Sequence, residues 1–257
     1  TYLANVFQGD LGYSFYLKQP GWNLVLDRCP ATALLFVLAL VVSTVVGTVM
    51  GNLASIKPNG FFSAAVTVFS LAGYSAPAFW VGILLLLAFA VYIPLFPISG
   101  MISIRLATEG ANLWAQSANI AKHLVLPLTT LTVIYIAEYS RLARASMIEV
   151  LRTDYIRTAR VKGLPEHVVI FKHALRNAVL PIITVAGLRL GHLFSGAVVV
   201  ETVFGWPGLG QLAFKSVLRR DYPMVLGILF FASLMVIISN ILTDLAYKAV
   251  DPRMESV

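Results

Sequence analysis

Charge is what this 257-residue chain has least of: only 12% of it is Asp, Glu, Lys or Arg, about half the share of an ordinary soluble domain. With 58% hydrophobic residues and a mean hydropathy of +0.82, too little polar material is left to cover a water-soluble fold. A soluble enzyme, a disordered tail and a nucleic-acid-binding domain are excluded on that ground, in spite of a net charge of +7. Cysteine is almost missing as well. Cys29 alone allows no internal disulfide, and with no cluster of Cys and His there is no zinc or iron–sulfur site to consider. Residues 1–19 lack the basic, apolar and small-residue layout of a secretory signal. The chain belongs in a lipid bilayer, where a basic excess reports topology rather than a nucleic-acid footprint.

Crossing the hydrocarbon takes about 20 apolar residues in helical form. Residues 31–54, 124–143, 178–203 and 224–249 qualify. Residues 61–92 are longer than one straight span and hold Pro77 near the middle, which predicts one long, bent helix ended by Ile93-Pro94. The fold class is therefore all-α integral membrane, with five spans in a single transmembrane domain. Of the 19 Lys and Arg residues, eight lie between Arg141 and Arg176, which makes that stretch cytoplasmic. Alternation then leaves eleven basic residues inside, seven outside and Arg189 within a span. Arg219 and Arg220 fall on the outer side, against the trend. An outside N-terminus without an initiator Met leads us to expect a further transmembrane helix upstream, six in all.

The cytoplasmic stretch, residues 149–177, reads as a helix–turn–helix arm. Helix formers run to Lys162, Gly163 suits a left-handed C-cap, and Leu164-Pro165-Glu166 opens a second helix with an anion at its positive end. Val161, Leu164, Val168, Val169 and Phe171 interleave apolar surface with cations. Such a surface is either a loop lying on lipid headgroups or a docking element for a cytoplasmic partner. The second reading explains better why apolar side chains stand on a basic arm.

The stretch RTARVKGLPEHVVIFKHALRNAVLP, residues 157–181, resembles the cytoplasmic loop of the permeases of the dipeptide/oligopeptide/nickel family of ABC importers. ETVFGWPGLGQL at 201–212, RRDYP at 219–223, QGDLGYSF at 8–15, PAT at 30–32 and DPR at 251–253 resemble the same family, in order and over nearly the whole chain. The Glu-Ala-Ala that opens the general importer loop stands here as Arg157-Thr158-Ala159, before Gly163. The resemblance implies a type I importer permease in a bacterial inner membrane, moving peptides, or nickel and other metal chelates. It would pair with a second homologous permease, dock on two ATP-binding subunits and receive solute from an extracytoplasmic binding protein. The docking residues would be Arg157, Thr158, Ala159, Gly163, Leu164, Pro165, Glu166, His167, Val168 and Phe171. No Gly-x-x-x-x-Gly-Lys-Ser/Thr loop is present to cradle phosphates, so no cofactor is expected in this chain, with ATP and Mg held by the partner subunits.

Two further places draw attention. Residues 204–210 crowd Trp206, Pro207 and three glycines beside a span, either as an interfacial turn with an aromatic anchor or as irregular backbone lining the mouth of a cavity, with Glu201 at its edge. Arg189 and His192 lie three apart on one face at mid-span, where a cation costs at least about 2.5–3.5 kcal/mol. Either Arg189 lines the translocation path and meets a carboxylate of the substrate, or it pairs with a carboxylate such as Glu138 or Asp244 or snorkels to a packed interface. Glu138 with Arg141 and Arg144 otherwise reads as an interfacial charge cluster. The rival function, an ion-gradient-driven secondary transporter or channel subunit, would bring inverted repeats and acidic relays at depth, and the chain shows no convincing repeat.

Overall fold

The computed structural model describes residues 11–108, 112–191 and 198–250. Their regular structure is helical apart from a short antiparallel hairpin, β1 (Tyr13–Ser14) and β2 (Gln19–Pro20), with Tyr13 opposite Pro20. The physical reason is that hydrocarbon offers no partner to a backbone N–H or C=O, and a helix satisfies both within one segment. The helices are α1 (Gly21–Ile56), α2 (Phe61–Ser75), α3 (Ala78–Leu86, continued by a π-helical turn at Leu87–Tyr92), α4 (Ile104–Thr108) and α5 (Leu113–Leu151). They continue with α6 (Asp154–Val161), α7 (Glu166–Leu190, through a π-helical turn at Val169–Ala174), α8 (Val198–Val203), α9 (Leu209–Leu218) and α10 (Tyr222–Val250). Among the described residues, four helices are long and apolar enough to cross a membrane, or five if the broken pair α2 and α3 is one span. The all-α membrane class holds.

Two boundaries correct the sequence reading. Residues 61–92 are two helices, not one bent helix: Ala76 is extended (φ −80°, ψ 126°) and ends α2 outright. Pro77 acts through its predecessor, because its Cδ clashes with a helical residue before it. Ile93, before Pro94, leaves the helix in the same way (φ −119°, ψ 89°). The fourth apolar helix starts at Glu166 rather than at 178, so the second helix of the cytoplasmic arm runs directly into the span.

Two compact units share the chain. The first comprises the described parts of Thr1–Leu38, Ala78–Leu131 and Leu190–Ala246, the second those of Ala39–Pro77, Thr132–Arg189 and Tyr247–Val257. The first unit buries Leu11, Leu24, Val25, Leu209, Leu212, Met224, Ile228 and Phe231 as one cluster. In the second, α1 meets α5 at very short range. A Cβ added at Gly47 would stand 2.7 Å from Tyr139 Cβ, and one at Gly51 2.7 Å from Ala143 Cβ. Small residues four apart let two helix backbones touch, which is how helices associate in lipid without a hydrophobic drive.

Candidate functional site

The arm in the second unit is built on its buried side. Ile156 and Ala159 of α6 pack with Val169, Ile170, Ala174 and Ala178 of α7 and with Met147 of α5. Between the helices Gly163 takes φ +78° with nothing within 4 Å of a would-be Cβ. Glycine is needed there for its backbone conformation and not for space. Pro165 is extended (φ −63°, ψ 141°) and caps α7. Arg160 closes the turn with a fork on Glu166, Nη2 to Oε1 at 2.7 Å and Nε to Oε2 at 3.2 Å. Asn177 Nδ2 donates to Tyr155 Oη at 2.6 Å.

The outward side of the same arm is unpartnered apolar surface: Val161 is 83% exposed, Phe171 59% and Leu164 38%. Arg157, Thr158, Pro165, Glu166 and His167 are exposed around them. Three members of the sequence-derived surface belong elsewhere. Ala159 of α6 and Val169 of α7 are buried beneath the arm, and Val168 is half-buried.

In the first unit, the loop after α8 is an internal staple. Glu201, fully buried, accepts Thr32 Oγ1–H at 2.6 Å on Oε1 and Gln211 N–H at 2.9 Å on Oε2. Thr32 Oγ1 in turn accepts Leu209 N–H at 2.8 Å. These two side chains from α1 and α8 cap α9, whose own N-cap residue, Gly208, has no side chain to do so. A carboxylate also sits well at the positive end of a helix. A Cβ at Gly208 would collide with the Glu201 carboxylate. Trp206, fully buried, donates Nε1–H to Ala31 O at 2.8 Å. The readings of Glu201 and Trp206 as path-lining residues, and of Trp206 as an interfacial anchor, give way to this geometry: neither side chain reaches water.

Arg189 and Glu138 are partners. Nη2 lies 2.6 Å from Glu138 Oε2, and the guanidinium stands 5.5 Å from the Tyr135 ring centre. The structure shows the ion pair with Glu138. The pair is not sealed, since 36% of the Arg189 side chain and 22% of that of Glu138 stay exposed. His192 lies outside the described residues. The charge cluster expected of Glu138, Arg141 and Arg144 is dispersed instead: Arg141 stacks 4.9 Å over Tyr74, and Arg144 bonds Ser63 Oγ at 2.9 Å and Pro58 O at 3.2 Å. The signal for the Arg189 partner was present in the sequence, because a cation at mid-span calls for an anion at similar depth.

Residues 43–256 match the family model of the binding-protein-dependent transport system inner membrane component. The chain belongs to this family. The dipeptide transport system permease DppB of Escherichia coli K12 is 40% identical to it over 98% of this chain and 79% of that protein. The di/tripeptide transport system permease DppB of Pseudomonas aeruginosa UCBPP-PA14 is 37% identical over 98% and 79%, and the oligopeptide transport system permease AppB of Bacillus subtilis 168 is 36% identical over 99% and 78%. Among solved structures, a chain of the inward-facing MetNI methionine ABC transporter superposes with a TM-score of 0.66 at 17% identity, over 89% of this chain and 96% of that one. A chain of an amino acid ABC transporter gives 0.62 at 16% identity, over 97% and 98%.

The fold of this binding-protein-dependent inner membrane component is thus the type I ABC importer permease fold, and the chain is a transporter subunit of a bacterial inner membrane.

Proposed function

We propose that this permease is the translocation subunit of an ATP-driven importer of peptides, working beside a second homologous permease. The relatives named above transport dipeptides, tripeptides and oligopeptides, which is why peptide is preferred to nickel or another chelate. The arm from Arg157 to Phe171 docks on one of two ATP-binding subunits, which hold ATP and Mg and supply the energy. An extracytoplasmic solute-binding protein delivers the peptide. The observation that carries the docking reading is the rigid presentation of Val161, Leu164 and Phe171: exposed apolar groups on a turn held by Gly163, Pro165 and the Arg160–Glu166 fork. A lever transmits motion only if it does not bend, and the buried cluster under α6 and α7 stiffens this one. Copurification of the tagged permease with its ATPases, followed by peptide uptake, tests the reading. Leu164→Asp in the arm is expected to release the ATPases and abolish uptake while the permease stays folded. Retention of both would sink the docking role.

Within the same reading, Arg189 and Glu138 face the translocation path. A peptide carries one carboxylate and one ammonium at its ends, the same two charges that this half-open pair presents. Exchange of the internal pair for the two peptide ends conserves charge at depth, which avoids leaving an ion bare in the bilayer. Arg189→Gln is expected to weaken uptake of free peptides and to leave C-terminally amidated ones less affected. Equal losses for both would remove the path role.

A further inference from the structure

The first unit contains a recess of about 150 Å³ whose lining includes Arg28 of α1, Lys215 and Arg219 at the end of α9, and Tyr16 of the loop between β1 and β2. Three cations converge there, and among the described residues none of them has a carboxylate partner. One acid lines the recess, Asp221, which is buried and accepts the Ser14 hydroxyl on Oδ2 while its Oδ1 has no hydrogen-bond partner, so three cations face a single carboxylate and the lining carries a net positive charge. Arg219 is held in place by stacking, with its guanidinium carbon 3.4 Å from the Tyr16 ring centre.

The depth of these cations is set by the sequence. Arg28 stands three residues before the apolar run that begins at Ala31, and Arg219 three residues before α10 begins at Tyr222. Both therefore lie where the hydrocarbon gives way to headgroups. Trp22 on α1 and Tyr222 at the start of α10 are exposed, and both are amphipathic aromatics of the kind that settles at that level. Exposed Leu17, Phe214, Val217 and Leu218 add apolar surface next to the recess.

We propose that this recess is a binding site for the phosphate of an anionic phospholipid, with the lipid chains lying on the adjoining apolar side chains. A guanidinium fork matches two phosphate oxygens at once, and an ammonium adds a point charge. A phosphodiester carries one negative charge, which offsets part of the excess. The site also accounts for Lys215 and Arg219, basic residues that stand on the outer side against the usual bias.

The test uses the full chain, purified with its partner subunits and placed in nanodiscs of phosphatidylglycerol and phosphatidylcholine. Lipid retained after delipidation is counted by native mass spectrometry. The wild type is expected to keep phosphatidylglycerol over phosphatidylcholine. Arg28→Gln, Lys215→Gln and Arg219→Gln should each weaken that preference about fivefold, the worth of one basic residue near an anionic surface. Arg220→Gln removes the same charge from the same loop but lies outside the recess, and it should leave the preference intact. An equal loss with Arg220→Gln, or no loss in a triple variant that combines Arg28→Gln, Lys215→Gln and Arg219→Gln, overturns the proposal. Displacement of the lipid by millimolar inorganic phosphate identifies a free-anion site and overturns it too. So does a triple variant that keeps its lipid and loses only capture of the solute-binding protein. None of these readings depends on which solute is carried.

Discussion

The staple of the first unit and the arm of the second are both irregular connections beside apolar helices, yet they are built in opposite senses. In the staple, Glu201, Thr32 and Trp206 turn inward and bond to the backbone or to each other. In the arm, the inward residues are aliphatic and the polar and large apolar groups turn outward. A side chain whose donors and acceptors are all engaged inside the fold has nothing left to offer a ligand. One held rigid with its surface free does. The contrast separates enclosed from presented side chains more sharply than residue type does, since the acidic Glu201 is fully enclosed while the apolar Val161 and Phe171 are presented.

Removing the staple should have the largest effect on stability. Glu201→Ala strips acceptors from the Gln211 N–H and the Thr32 hydroxyl in a dry site, at about 1–3 kcal/mol for each orphaned group. The expected outcome is a thermal unfolding midpoint lowered by many degrees in detergent, with peptide selectivity unchanged in whatever remains folded. A selectivity change would break the contrast. Trp206→Phe comes next, at about 1 kcal/mol for the lost bond to Ala31 O, read in the same melt.

In the arm the order of effects reverses between stability and function. Gly163→Ala forces a Cβ onto a residue at φ +78°, for about 1–2 kcal/mol. Its expected signature is ATP hydrolysis uncoupled from uptake, because the turn relaxes and the lever bends. Val161→Asp and Phe171→Ala touch exposed positions and should move the melting midpoint by the equivalent of less than about 0.5 kcal/mol, yet abolish ATPase capture. Arg160→Ala closes the series. Its ion pair with Glu166 is open to water, and exposed pairs contribute less than about 1 kcal/mol, so a small loss of uptake with no measurable loss of stability is expected.

The arm was legible because its signals are local. Gly163 and Pro165 announce a turn from the chain alone, and Leu164 and Phe171 stand out as apolar residues interleaved with cations. Val169 escaped because the second helix makes a π-helical turn at Val169–Ala174, which shifts the face presented. Pro77 was seen, but its effect was assigned to a kink, when the restriction on Ala76 decides the matter. The staple was illegible for a different reason: Thr32 and Glu201 are 169 residues apart, and no periodicity links them. Arg189 stood between these cases. Its need for an anion could be read from depth alone, whereas the choice of Glu138 over Asp244 could not.

Composition and hydropathy by themselves determined that this chain lives in a bilayer as helices, since each apolar run must satisfy its own backbone where water is absent. Local chemistry determined the turns at Gly163, Pro77 and Pro94. The tertiary structure alone decided which polar groups are enclosed and which are presented. Enclosure depends on what the fold brings to a residue from far along the chain, and burial without a partner is too costly for any fold to leave that choice to local sequence.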